Sequence, residues 1–367
     1  MDKKKFSLID LIADNKLIHT LLAIVIGFIV GAIFMVVMNV SVGAAYGKLF
    51  SSIFSSVKNL SYCVVYATPY IVAGLSVAFS FKTGVFNIGA EGQFVVGAMG
   101  AAVVGILFGH LPSIILIPLC FIVAMIAGAV WGVLVGFLKT KWGINEVLSM
   151  IMFNWIAFYL SNYIAYLPAI YSEGNSSATK EISEAARTLL PAEMIKNLNL
   201  APTANWGILV AIVLTVVVWY IIEKTTLGYE LKAVGFNKNA ADYAGINVNR
   251  SILTALGISG GMAGLAGALH LMGMGGRIPV FAGQEGFGFA GIVVALIGMT
   301  NPFGVFIAGL FYGALKYGGG KLTLVGAHGE VVDIIVGTVV FFIAISGLFA
   351  YVRKLKREPK SAKKEEK

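Results

Sequence analysis

From Leu17 to Val40 the chain runs without one Asp, Glu, Lys or Arg, a stretch long enough to cross a bilayer as a helix, which takes about 20 apolar residues. Further apolar runs, bounded by Gly, Pro or charge, recur at 62–81, 84–108, 113–138, 147–167, 206–222, 251–272, 287–298, 303–317 and 331–351, the eighth and ninth spans being short and glycine-rich. A bilayer admits only structures that satisfy every backbone N–H and C=O internally. The pattern therefore predicts an all-α, polytopic helical membrane protein of about ten transmembrane helices. The chain has 367 residues, 58% of them hydrophobic and 12% charged, and its mean hydropathy is +0.87; little length remains for a soluble domain. The first run is longer than a signal-peptide core and lacks a cleavage site, so it reads as a retained span.

The net charge of +9 does not describe a nucleic-acid-binding face, because the basic residues lie in short clusters beside apolar runs. It describes orientation instead. Loops rich in Lys and Arg stay cytoplasmic, which puts Lys3, Lys4, Lys5, Lys82, Lys139, Lys141, Lys224, Lys232, Lys238, Arg250 and the basic tail 352–367 inside. Both termini then face the cytoplasm, as an even number of spans requires. Residues 169–205 face outward, and their middle, ISEAARTLLPAEMIKNL, has the pattern of an amphipathic helix. Residues 223–250 form the one long cytoplasmic connection, with apolar positions between Gly235 and Gly245 that suit one or two short surface helices. Cys63 and Cys120 sit in apolar runs with no CxxC spacing, the setting of free, packed thiols.

Two motifs carry a resemblance. LGYELKAVGFNKNAADYAGINV, at 227–248, resembles the coupling loop of permease subunits in bacterial ABC importers of branched-chain amino acids, ribose and nucleosides, and the matching positions are Gly228, Ala233, Gly235, Asn237, Ala240, Ala241, Gly245 and Ile246. FKTGVFNIGAEGQFVVGAMGAA resembles that family's second signature, and its NIGAEGQ form is similar to the variant in nucleoside permeases. The resemblance covers roughly 62–351. It implies a single permease domain that translocates nucleosides across a bacterial cell membrane. The implied partners are a cytoplasmic ABC ATPase docked on the coupling loop, a second and different permease chain, an extracellular substrate-binding lipoprotein, and lipid; no cofactor or metal is implied. Permeation of ribose, other sugars or branched-chain amino acids is the alternative within the family, and an ion-coupled secondary carrier the alternative outside it.

GAEGQF at 89–94 has an echo in GQEGFGF at 283–289, which fits an inverted repeat of spans 2–5 and 7–10. Glu91 stands inside a span, where a carboxylate is costly and marks a site unless it sits at the membrane face or serves the broken backbone of a glycine-rich segment. The same two readings, path lining or structural bonding, hold for Asn87, Gln93 and Asn154. Phe281, Glu285 and Phe287 complete the substrate-path candidates, the aromatics for stacking on a base and Glu285 as a polar group. His270 reads as an interfacial histidine, and the glycines of ALGISGGMAGLAGALH as packing positions. GGGKLT lacks the Ser or Thr that must follow the lysine of a phosphate loop, and no nucleophile and base occur at catalytic spacing. ATP hydrolysis is thus expected on another subunit and no chemistry on this one.

Overall fold

The computed structural model describes residues 16–172 and 177–343; Lys3–Lys5, Glu173, the end of the tenth expected span and the basic tail lie outside the described residues. It is helical throughout, with only isolated β-bridges among the described residues. In chain order the helices are α1 Lys16–Val37, α2 Val42–Phe54, α3 Val57–Phe81, α4 Ala90–Leu107, α5 Ser113–Trp142, α6 Glu146–Ala165, α7 Ala192–Asn197, α8 Gly207–Lys224, α9 Thr226–Phe236, α10 Lys238–Tyr243, α11 Val248–His270, α12 Phe287–Ile297, α13 Pro302–Gly319 and α14 Val331–Ile343. Each of the ten expected spans coincides with one of them. Seven are long and apolar enough to cross a membrane alone; α12, α13 and α14 are the other three. α2, a helix of 13 residues, was not expected.

Helix limits follow local chemistry. Ser56, Asn145, Thr225, Asn237 and Asn247 cap α3, α6, α9, α10 and α11, each accepting a first-turn backbone N–H. α5 stops at Gly143, whose φ of +66° turns the chain back. α4 opens at Gly89 without a side-chain cap of its own, and α6 supplies one: Asn154 Oδ1 accepts from Gly92 N–H at 2.8 Å.

Residues 49–318 form one compact unit, and residues 1–48 with 319–367 another. In the second, α1 lies against α14 through Gly27 and Gly31, where an added Cβ would overlap Val339 and Ile335. In the first, α11 is the central helix, packed on α3, α4 and α5. The glycines expected to act in packing do so: an added Cβ would stand 2.2 Å from the Gly260 carbonyl at Gly128, 2.2 Å from the Ala124 carbonyl at Gly264 and 2.2 Å from Gly264 Cα at Gly97. Three backbones meet there directly, as small residues permit in membranes. Cys63 and Cys120 are free and buried.

The amphipathic helix expected in the 169–205 segment is absent. A 3₁₀ turn at Glu184–Ala186 and the short α7 stand in its place, separated by extended backbone. Pro191 forces its predecessor out of the helical region, and the extended stretch bonds elsewhere: Thr188 N–H to Met272 O at 3.2 Å and Leu190 N–H to Ala204 O at 2.9 Å. This segment also pairs with the chain after α11, through Thr179 N–H to Ile278 O at 2.9 Å and Val280 N–H to Ser177 O at 2.7 Å.

Candidate functional site

Span eight is broken. α11 ends in a π turn, Leu271–Gly275, and the chain then runs from Gly276 to Gly286, both with left-handed φ, before α12 begins. α12 has 11 residues, about 16 Å of helix and only half a membrane core. Its first residue, Phe287, stacks on Tyr70 with ring centroids 5.1 Å apart. Tyr70 lies eleven residues, or about 16 Å, from the end of α3 at Phe81. The helix start at Gly286 and Phe287 therefore lies level with the middle of α3, and the non-helical backbone before it runs back to Phe281, which is bonded to Asn162 near the end of α6.

Glu91 is the answer to that break. Its side chain is fully buried, Oε1 accepts from Gly286 N–H at 2.7 Å and Oε2 from Gly288 N–H at 2.7 Å. A helix start leaves its first N–H groups without partners and carries partial positive charge; a carboxylate from another helix serves both needs. Gly288 has no room for a side chain, since a Cβ would lie 2.2 Å from Glu91 N. The two echoing motifs thus meet in space.

Asn87, Gln93 and Asn154 are buried as well. Asn87 Nδ2 donates to Gln93 Oε1 at 2.7 Å and to Ser259 Oγ at 2.7 Å, and Ser259 exchanges hydrogen bonds with Ser76 across α3 and α11. Asn154 Nδ2 donates to Ile88 O at 3.1 Å. These five side chains hold the non-helical residues 82–89 and α4 against α3, α6 and α11.

Phe281, Glu285 and Phe287 take different places. Phe287 is enclosed by Tyr70, Phe94 and His270, its ring centroid 4.9 Å from Phe94 and 4.3 Å from His270. Phe281 is held by its backbone, which exchanges two hydrogen bonds of 3.0 Å with the Asn162 carboxamide. Glu285 is exposed together with Ala282, Gly283 and Phe289. Behind them, on the side of the 169–205 segment, is a cavity with about 30 Å³ of space open to water, lined by Ser161, His270, Arg277, Phe281, Glu285 and the apolar wall of α4. Ser161 Oγ and His270 Nδ1 are buried without a hydrogen-bond partner among the described residues. Neither was foreseen. His270 was expected at an interface, but its ring packs among Phe94 and Phe287; a helical serine usually bonds a carbonyl one turn back, so nothing in the sequence marks Ser161.

At the far end, α9 and α10 make the connection between α8 and α11. Gly228 and Gly235 let α9 lie directly on backbone, an added Cβ standing 2.2 Å from Ile221 O and 2.1 Å from Lys82 O. Ala241 is buried, Asn237 caps α10 at 3.1 Å from Ala240 N–H, and Gly245 ends it with φ +83°. Ala233 lies half-buried on α9, Ala240 is exposed on α10, and Ile246 follows α10. The matched residues shape this element. Its most exposed large side chains are Phe236, 90% exposed, and Tyr243, 96% exposed.

Residues 59–344 match the family described as branched-chain amino acid transport system / permease component. The chain belongs to that permease family. Among relatives, the guanosine ABC transporter permease protein NupP of Bacillus subtilis is 39% identical over 79% of this permease and 82% of its own length. The nucleoside ABC transporter permease protein NupB of Lactococcus lactis is 32% identical over 76% of each chain. The glucose ABC transporter permease protein TsgB13 of Haloferax volcanii is 33% identical over 80% of this permease and 78% of its own length.

Proposed function

We propose that this permease is the membrane-spanning subunit of an ATP-driven importer that carries nucleosides inward across a bacterial cell membrane. In this reading it pairs with a second permease chain, takes solute from an extracellular binding lipoprotein and is driven by a cytoplasmic ABC ATPase. The observation that carries the reading is the exposed, non-helical segment 281–286 with its carboxylate at membrane depth. Lipid tolerates neither open backbone nor a carboxylate, so that face belongs to a water-filled path closed by the second chain. Glu285, Phe281 and the exposed edge of α12 line the path; Asn87, Glu91, Gln93, Asn154 and Phe287 hold its wall in place. Nucleosides are favoured as cargo by two relatives named for them and by the aromatic face of Phe281 on the path.

The α9–α10 element, on the cytoplasmic side in this orientation, is the ATPase dock, with Phe236 and Tyr243 as its projecting side chains. An ion-coupled carrier needs no such platform. Replacing Tyr243 with glutamate in the assembled importer tests this: solute-stimulated ATP hydrolysis should fall while assembly of the two permease chains is retained. Unchanged stimulation in both Tyr243→Glu and Phe236→Glu would place the dock elsewhere.

A further inference from the structure

The cavity beside Glu285 holds more polar capacity than the protein uses. Ser161 is 2% exposed, yet among the described residues its Oγ has no hydrogen-bond partner, and neither has His270 Nδ1. Buried polar groups left unmade each cost about 1–3 kcal/mol, so two of them on residues that line one cavity point to a ligand or waters that complete them. Glu285 lines the same cavity, and its side chain makes no hydrogen bond or ion pair among the described residues. The three groups come from α6, the end of α11 and the broken segment before α12. None of them is among the side chains that hold the fold together at Glu91 and Asn87.

Size narrows the occupant. About 30 Å³ of space open to water takes roughly two water-sized groups, at about 10–15 Å³ each on this measure. A whole nucleoside does not fit; two hydroxyls do. A carboxylate only accepts when ionised, a serine hydroxyl both gives and accepts, and a neutral imidazole nitrogen does one or the other by tautomer. That set matches adjacent hydroxyls, each of which gives one hydrogen and accepts others. Arg277 lines the cavity too, and its guanidinium adds donors for the same hydroxyls. Phe281 lines the cavity as well, with a π face for a flat ring.

We propose that this cavity is a subsite for two adjacent hydroxyls of the transported solute, the 2′ and 3′ hydroxyls of a ribonucleoside, with Glu285, Ser161 and His270 as their partners. The assignment rests on the nucleoside reading above and adds to it a requirement for the ribose diol in the permease itself. A site built around hydroxyls rejects the analogue that lacks them, because its own groups are then left unpaired.

The test is uptake by the complete importer, with the same binding protein throughout, of labelled uridine and labelled 2′,3′-dideoxyuridine. Comparing variants of this chain cancels any preference of the binding protein. Ser161→Ala should lower uridine uptake several-fold and Glu285→Gln by roughly tenfold or more, as expected for losing a neutral and a charged hydrogen bond. Dideoxyuridine uptake should stay near the unaltered rate in both and so report that the variants fold and assemble. An equal fall for both solutes, or no change for either, overturns the diol subsite while leaving the nucleoside importer standing. If the unaltered complex takes up neither solute, the nucleoside reading fails and the subsite with it.

Discussion

Glu91 closes the most exposed weakness of the fold, the helix start in the middle of span eight, and its replacement should loosen that point and little else. Hydrogen bonds to charged groups contribute about 1.5–3 kcal/mol each. The carboxylate accepts two, from Gly286 and Gly288, so Glu91→Ala forfeits about 3–6 kcal/mol of local stability. Glu91→Gln keeps the volume but turns one acceptor oxygen into a donor, losing about half of that. At about 1.4 kcal/mol per factor of ten, opening of the first turn of α12 should become roughly 10- to 100-fold more frequent in the glutamine variant and more so in the alanine. Hydrogen–deuterium exchange on the purified complex in nanodiscs reads this directly in peptides covering 283–290. Faster exchange there, with the interior of α5 unchanged, is the expected result. Undiminished protection of 283–290 in both variants would refute the assignment of Glu91 as the support of α12.

Other substitutions probe separate parts of the account. Gly264→Val drives a side chain into the Ala124 carbonyl and should abolish a monodisperse peak in size-exclusion chromatography, since overpacking alone costs about 1–3 kcal/mol and here the obstacle is backbone; Gly100→Ala, whose Cβ finds its nearest atom at 3.4 Å, should be tolerated. Ala241→Glu puts a charge at a buried position of α10 and should abolish coupling through distortion of the element, whereas Tyr243→Glu should do so without loss of α10, a difference visible as altered proteolysis of 236–246 in the first variant only. Cysteines at Ser177 and Asn239, with Cys63 and Cys120 replaced, should be labelled in intact cells by an impermeant reagent at the first position alone; labelling at Asn239 would reverse the orientation.

The helices were legible because a membrane leaves one solution per apolar run, whereas their caps at Asn145, Asn237, Asn247 and Gly143 became visible only in the structure. α2 was not legible: Ser41, Lys48, Ser51 and Ser52 break its apolar run, and at 13 residues it is too short to register as a span. The break in span eight was visible only as a short run, because the extended half, 276–286, reads as a loop until Tyr70 is found beside Phe287. The role of Glu91 was open for the same reason. Its partners are 195 and 197 residues away, and no local pattern reports a bond from a side chain to a distant backbone N–H. The resemblance at 227–248 located the α9–α10 element, yet its matched glycines and alanines are those that let it pack, while Phe236 and Tyr243, which it exposes, are simply the residues left pointing outward.

Reconstitution addresses the central claim most directly. This chain should be assembled with its second permease, its ATPase and its binding protein in liposomes, and accumulation of labelled guanosine and uridine measured with ATP inside. The account predicts nucleoside accumulation that requires ATP and all the subunits, is lost without this chain, and does not extend to leucine. Accumulation of leucine or free ribose in place of nucleosides would contradict the substrate assignment, and nucleoside accumulation by this chain alone under an ion gradient would contradict the mechanism.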